Sequence, residues 1–169
     1  MTKIGEIRRV TEKLGLLVRD PSRGLPEEVF LFVSEVTPLV NVDLLIKDER
    51  GRTLMTWRND TFDKAGWHIP GGIIRFKESI GARIRVVARQ ELGADVDYNP
   101  VPAAISEVIH PTRKTRGHFI SLLYRCSLIT PLDERLRYKS GKRRPGVWKW
   151  HDRYPRNTIA VHKMYRFFL

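Results

Sequence analysis

Between Trp67 and Gly93 the chain reads WHIPGGIIRFKESIGARIRVVARQELG, an extended piece, a double glycine, a short loop and a helix. Gly71 and Gly72 let main-chain atoms approach a ligand that side chains would block. Glu91 stands near the end of the helix, one residue before the helix-stop pair Leu92-Gly93. A carboxylate beside a glycine turn suits a metal-bound diphosphate, because Mg²⁺ takes oxygen ligands and is often held by one or two carboxylates together with phosphate and water. Arg58, at the end of an apolar stretch, offers a guanidinium that grips oxyanions bidentately. Asp43, between Val42 and Leu44, needs a partner if it faces inward, and sugar hydroxyls or neighbouring backbone would serve. Glu78 and Arg85 lie two turns apart on one helix face and could form an ion pair, with Arg89 as the alternative cation.

The elements that must position these groups follow from periodicity and breakers. Ile4, Ile7, Val10, Leu14 and Leu17 have helical spacing up to the break at Asp20 to Gly24. A second short helix runs from Glu27 to Glu35 behind Pro26. Leu39 to Lys47 and Thr53 to Arg58 read as a hairpin around Asp48 to Arg52. Asn59 to Gly66 is a polar loop and Trp67 to Pro70 a short extended piece. The principal helix spans Glu78 to Leu92, with Ile80, Ile84, Val87, Ala88 and Glu91 on one face. Ala103 to His110 and His118 to Leu128 are strands joined by a basic loop, Gly146 to His151 is a last strand, and Thr158 to Phe168 a closing helix. Strands interrupted by helices give an α/β chain with helices covering a mixed sheet.

Composition narrows the partners. The chain has 169 residues, enough for one domain with a sizeable core. Lys and Arg total 31 against 19 Asp and Glu, a formal charge of +12, which attracts anions. The cations concentrate at Arg135, Arg137, Lys139, Lys142, Arg143 and Arg144, and again at Arg113, Lys114 and Arg116. Neither run has the aromatic interleaving of a single-strand binding platform, so a small anionic substrate fits at least as well as nucleic acid. No apolar run approaches a membrane span, and Met1 to Leu17 lacks the uninterrupted hydrophobic stretch of a leader. With the single Cys126, most simply a small core residue, a reducing cytoplasm is the expected compartment.

The segment from Gly72 to Gly93 resembles part of the Nudix box, with Gly72, Glu78, Glu91 and Gly93 at the family's spacing. Val86, Val87 and Gln90 stand where that pattern has Arg, Glu and Glu. One branch keeps only the last Glu, the GDP-mannose mannosyl hydrolase group, which cleaves at the sugar carbon. The likeness to that branch extends through Thr37 to Asp43, GRTLMTWR ending in Arg58, Pro70-Gly71-Gly72, and Val161-His162 with Arg166-Phe167. It covers roughly Leu25 to Leu169, leaving residues 1–24 as an N-terminal helical extension.

This resemblance implies a Nudix-type α/β domain, a mixed sheet between helices, that hydrolyses a nucleoside diphosphate sugar with Mg²⁺ or Mn²⁺. Glu91 with main-chain oxygen of Gly71 or Gly72 would hold the ion. Asp43, Arg58 and Arg85 would contact substrate, and Arg58 would assist the reaction. The family's catalytic His and preceding Gln align with Pro145 and Arg144, which cannot act as bases. His110 is therefore the first candidate, since imidazole titrates near neutral pH, followed by His118 and His151. The resembling enzymes are dimers, so a homodimer is expected. Cleavage at phosphorus, and nucleotide or RNA binding without turnover, remain as alternatives.

Overall fold

The computed structural model describes residues 2–59 and 64–169. Part of the polar loop expected between Asn59 and Gly66 lies outside them. Helices α1 (Lys3–Leu17) and α2 (Glu27–Val36) precede strands β1 (Leu39–Ile46) and β2 (Thr53–Arg58). Then come β3 (Gly66–His68), β4 (Gly71–Ile73), helix α3 (Ile80–Leu92), β5 (Val96–Tyr98), β6 (Ala104–Ile109), β7 (His118–Leu128) and β8 (Trp148–His151). The chain is α/β, as its pattern predicts, but the strands divide into two sheets. One has five strands in the order β4-β1-β7-β5, with β6 also paired to β7; the other is β3-β2-β8. The β1–β7 pair is parallel and the other ladders are antiparallel.

Four features differ from the sequence reading. Strands β1 and β2 are not a paired hairpin: they belong to different sheets and share only the Lys47–Thr53 bridge beside the Asp48 to Arg52 turn. Gly71 and Gly72 are not a turn but the start of β4, paired with Asp43 and Val42 of β1. Strand β5 has only three residues, too few to carry a period. The expected helix from Thr158 to Phe168 is a 3-10 run, Ala160–Tyr165.

Alternation along β1 organises the core. Val42, Leu44 and Ile46 face α3, where they meet Ile84, Val87, Ala88 and Leu92. The opposite face carries Leu45, which packs with Leu123, Ile69 and Tyr165. A strand buried on both faces reads as a near-continuous apolar run, and this sheet is covered by α3 on one side and the C-terminal 3-10 run on the other. Met55, Trp57, Trp67 and Val147 form a third cluster on the smaller sheet.

Helix α3 starts where Ser79 Oγ accepts from the Ala82 amide at 3.2 Å. It stops at Gly93, whose φ of 62° is left-handed and whose N–H reaches the Ala88 and Arg89 carbonyls. Glu78 pairs with Arg83, not with Arg85 or Arg89. Arg83 Nε donates to Glu78 Oε2 at 2.8 Å, and a second guanidinium nitrogen lies 2.7 Å away but off hydrogen-bond alignment. The reason is helical phase: Arg83 falls on the buried face and is 5 % exposed, whereas Arg85 and Arg89 point to solvent.

Helix α1 is capped by Thr2 but buries none of its residues; Ile4, Ile7, Val10 and Leu17 are exposed. No helix of the described residues is long and apolar enough to cross a membrane. Cys126 is a free, buried thiol, pushed up to about 12 by burial, in keeping with a core role.

Candidate functional site

Glu91 joins the two sheets. Its position in the last turn of α3 brings the carboxylate over β4, where Oε1 accepts from the Gly71 amide at 3.1 Å. Oε2 accepts from the Thr56 hydroxyl of β2 at 2.8 Å. Thr56 Oγ1 in turn lies 2.9 Å from His68 Nε2 of β3, and the other ring nitrogen, Nδ1, donates to the Ile69 carbonyl at 2.9 Å. This chain of contacts fixes a proton count. With Glu91 ionised, Thr56 gives its hydrogen to the carboxylate, and His68 must donate from both nitrogens. With Glu91 protonated, hydrogens can run from Glu91 to Thr56 to a neutral His68. The three groups thus share one proton. Burial pushes the Glu91 carboxyl up to about 7, against the hydrogen bonds of Thr56 and Gly71 and the charge of Arg58, while Asp43 pushes it further in the same direction.

Asp43 is on the face of β1 opposite α3, 3 % exposed. Its Oδ2 accepts from the Tyr165 hydroxyl at 2.5 Å and from Asn41 Nδ2 at 3.1 Å. Burial pushes this carboxyl up to about 7 as well, opposed by the Tyr165 and Asn41 bonds and by Arg58. The partner sought for Asp43 is thus a tyrosine of the C-terminal run, and Asp43 is not among the residues lining the cleft described below. The double glycine has packing reasons of its own. A Cβ at Gly71 would lie 2.2 Å from Asp43 Oδ1 and 2.9 Å from the Val42 carbonyl. A Cβ at Gly72 would lie 2.8 Å from a Val87 methyl, so its absence lets α3 close on β4.

A cleft of about 1180 Å³ opens over this floor. Glu91, His68, Gly71, Gly72, Asn41 and Ser121 lie along it, with His162 from the 3-10 run. Its cations are Arg58 at the end of β2, Lys64 from the β2–β3 connection, Arg113 and Arg116 from the β6–β7 loop, and Arg156 and Lys163 near the C-terminus. Glu91 is the one acid among the described lining residues. Such a wall of one sign focuses field and attracts anions.

Of the residues singled out in the sequence, the structure brings Arg58, Gly71, Gly72, Glu91 and His110 to this cleft. Arg85 is exposed and outside it. His118 pairs with Glu107 at 3.1 Å, and His151 packs edge-on against Trp67 at 4.6 Å, its imidazole pushed down to about 4 chiefly by burial. Neither lines the cleft. Pro145 and Gly146 do, which carries the loop before β8 to the site. The basic run ahead of them is tied to the protein itself: Arg135 pairs with Asp133 at 2.7 Å, and Arg143 lies over Trp57, Tyr138 and Trp67 at 4.7, 5.4 and 5.8 Å. In the second run Arg113 and Arg116 reach the cleft, while Lys114 pairs with Glu35 at 3.2 Å.

Sequence reading missed Thr56, His68 and His162 as site residues. Thr56 and His68 had the signal used for Asp43, a polar side chain inside an apolar strand. His162 had only its place in the segment that carries the resemblance.

Among the described residues no three His, Cys, Asp or Glu side chains gather to hold a metal ion. A carboxylate has about four lone-pair sites, and Gly71 and Thr56 occupy two of those on Glu91. The donor set therefore fits one divalent ion held jointly by Glu91 and the oxygens of a ligand, not a pair of protein-held ions.

The sequence matches no family model. Over 76 residues it is 33 % identical to the low-salt glycan biosynthesis protein Agl8 of Haloferax volcanii, covering 45 % of this chain and 48 % of that protein. The match thus spans about half the length of that curated relative. Among solved structures, the MutT Nudix hydrolase from Burkholderia pseudomallei superposes with a TM-score of 0.62 at 17 % identity, over 79 % of this chain and 98 % of that one. A possible asymmetric diadenosine tetraphosphate hydrolase from Jonesia denitrificans gives a TM-score of 0.52 at 19 % identity, over 68 % and 77 %. The α/β arrangement built around Glu91 is the fold of the Nudix hydrolases.

Proposed function

We propose that this chain hydrolyses a nucleoside diphosphate sugar of the GDP-hexose kind at the sugar carbon, releasing the nucleoside diphosphate and the free sugar. The observation that carries this reading is a cleft with six cations, Arg58, Lys64, Arg113, Arg116, Arg156 and Lys163, and a single described carboxylate, Glu91. Six cations exceed the charge of a diphosphate and draw such an anion into the cleft. One carboxylate is few for the two-ion clamp that in-line attack on phosphorus uses. The relative from Haloferax, named as a glycan biosynthesis protein, adds support for a sugar nucleotide.

In the proposed reaction water attacks C1, the C1–O bond breaks, and its electron pair stays on the diphosphate. Arg58 and the neighbouring cations stabilise the charge that develops there. Glu91 would hold a divalent ion, Mg²⁺ or Mn²⁺, against the phosphates; when bound, that ion neutralises the leaving group. His110, exposed at the cleft rim and 3.4 Å from Thr112 Oγ1, takes the proton of the attacking water. Asp43 acts through Tyr165 and not on substrate.

A second reading, nucleotide binding without turnover, is favoured by Pro145, which lines the cleft from the loop where the resembling enzymes carry their base. Incubation with GDP-mannose and Mg²⁺ in ¹⁸O-labelled water separates the readings. Mannose carrying ¹⁸O beside unlabelled GDP supports cleavage at carbon. Mannose 1-phosphate with GMP means attack at phosphorus, and saturable GDP binding with neither product means a binding module.

A further inference from the structure

The C-terminal 3-10 run turns one histidine into the cleft in a single tautomer. The Ile69 amide donates to His162 Nδ1 at 3.0 Å. That nitrogen therefore carries no hydrogen, and a neutral imidazole must carry its one hydrogen on Nε2. His162 is 6 % exposed and lines the cleft. Among the described residues no hydrogen bond engages Nε2, and the ring forms part of the cleft lining.

The ring is also held against rotation. Tyr165 packs edge-on against it at 5.4 Å and is itself anchored by its hydrogen bond to Asp43. His68 lies on another side at 5.9 Å. A flip of the ring would cost the Ile69 amide its acceptor in a buried place, which is expensive. Protonating Nδ1 would do the same. Burial, followed by the positive charge available on His68 and Arg58, accordingly holds this imidazole well below its ordinary range.

We propose that His162 is a neutral hydrogen-bond donor of fixed tautomer whose Nε2–H binds a phosphoryl oxygen of a nucleoside diphosphate in the cleft. This rests on the reading of the cleft as a nucleoside diphosphate site. The arrangement also removes His162 from the candidates for general base: Nε2 already holds its hydrogen and Nδ1 is engaged. Among six cations, which attract phosphate from any direction, a rigid neutral donor contributes direction. Its strength depends on where the oxygen sits and not on net charge.

The test is a pair of ¹H–¹⁵N spectra, one of backbone amides and one long-range for histidine rings, of the full chain uniformly labelled with ¹⁵N, recorded with and without GDP, in EDTA and in Mg²⁺. His162 is assigned through the contact of its ring with the Ile69 amide. The expected result is an unprotonated Nδ1 and a protonated Nε2 from pH 6 to pH 8, with the Nε2 pair moving on saturation with GDP while the Ile69 amide stays in place. A protonated Nδ1 overturns the proposal. So does an Nε2 pair that stays still while the Gly71 and Gly72 amides move with GDP, and that outcome leaves the nucleotide reading intact. If no cleft resonance moves, both readings fail.

Discussion

Replacing Glu91 by Gln should make the protein more stable, and increasingly so as pH rises. In the wild type the Glu91 carboxyl has an ordinary value of 4.5 and is pushed up to about 7 by burial. The folded state therefore binds this proton more tightly than the unfolded chain does. Counted against the Gln variant, whose unfolded His68 titrates alike, the native wild type holds one more proton between pH 4.5 and about 7 than its unfolded chain, so the wild type loses stability relative to Gln as pH rises through that window. The interval from 4.5 to about 7 is worth about 3 kcal/mol above pH 7, for a side chain that is 24 % exposed. Gln removes the titration without breaking the local hydrogen bonds. Its oxygen accepts from Gly71, its amide donates to Thr56, and Thr56 donates to a neutral His68 whose Nδ1 remains on the Ile69 carbonyl. Asp43, pushed from 3.8 up to about 7, produces a fall of the same sense in both proteins. It therefore largely cancels in the difference. The assay is urea unfolding of wild type and Glu91→Gln at intervals from pH 5 to pH 8.5 in EDTA. The curves should nearly meet at the acid end and separate by up to about 3 kcal/mol above pH 7, with Gln higher. Parallel curves, or a Gln variant less stable at pH 8, would refute the assignment of Glu91 as a carboxyl kept in a costly environment.

Gly71→Ala should destabilise by about 3 kcal/mol in the same assay, because the new Cβ would lie 2.2 Å from Asp43 Oδ1 and 2.9 Å from backbone. Arg83→Ala should cost about 3–5 kcal/mol by leaving Glu78 without its buried partner, while Arg85→Ala, at an exposed site, should stay within about 0.5 kcal/mol of wild type. Arg156→Ala should weaken GDP binding about threefold to tenfold in calorimetry at low salt, with the gap closing near 1 M salt; an unchanged low-salt affinity would take Arg156 out of the ligand's field. Removal of residues 1–24 should change the unfolding free energy by less than about 1 kcal/mol, since α1 buries nothing. Light scattering on the same shortened chain tests the homodimer: a monomer both before and after removal disposes of it.

How much of the site was legible depended on the range of each signal. Glu91 was readable because three local rules converge there: an apolar stripe at helical spacing, a Leu-Gly stop, and a carboxylate near the stripe. The structure adds that Ser79 caps the other end and Gly93 adopts the left-handed turn. Arg83 was legible in principle, since it stands three residues after Ile80 and four before Val87 and so borders the apolar stripe, whereas the two-turn spacing of Glu78 and Arg85 pointed to the wrong cation. Pro-Gly-Gly suggested close backbone approach, and close approach is what Gly71 and Gly72 provide. The neighbours that require it, Asp43 and Val87, are far away in sequence.

The sequence by itself determined the alternation of strands and helices, the placement of α3 with Glu91 at its end, and the excess of positive charge. These depend on residues within a few positions of one another. Tertiary structure alone decided that Asp43 meets Tyr165 across 122 residues and that the Ile69 amide meets His162 across 93. It also decided that one basic run reaches the cleft while the other folds onto Asp133 and an aromatic cluster. Hydrogen bonds and burial act at a few ångströms in space, and no local pattern records which distant strand will supply the partner.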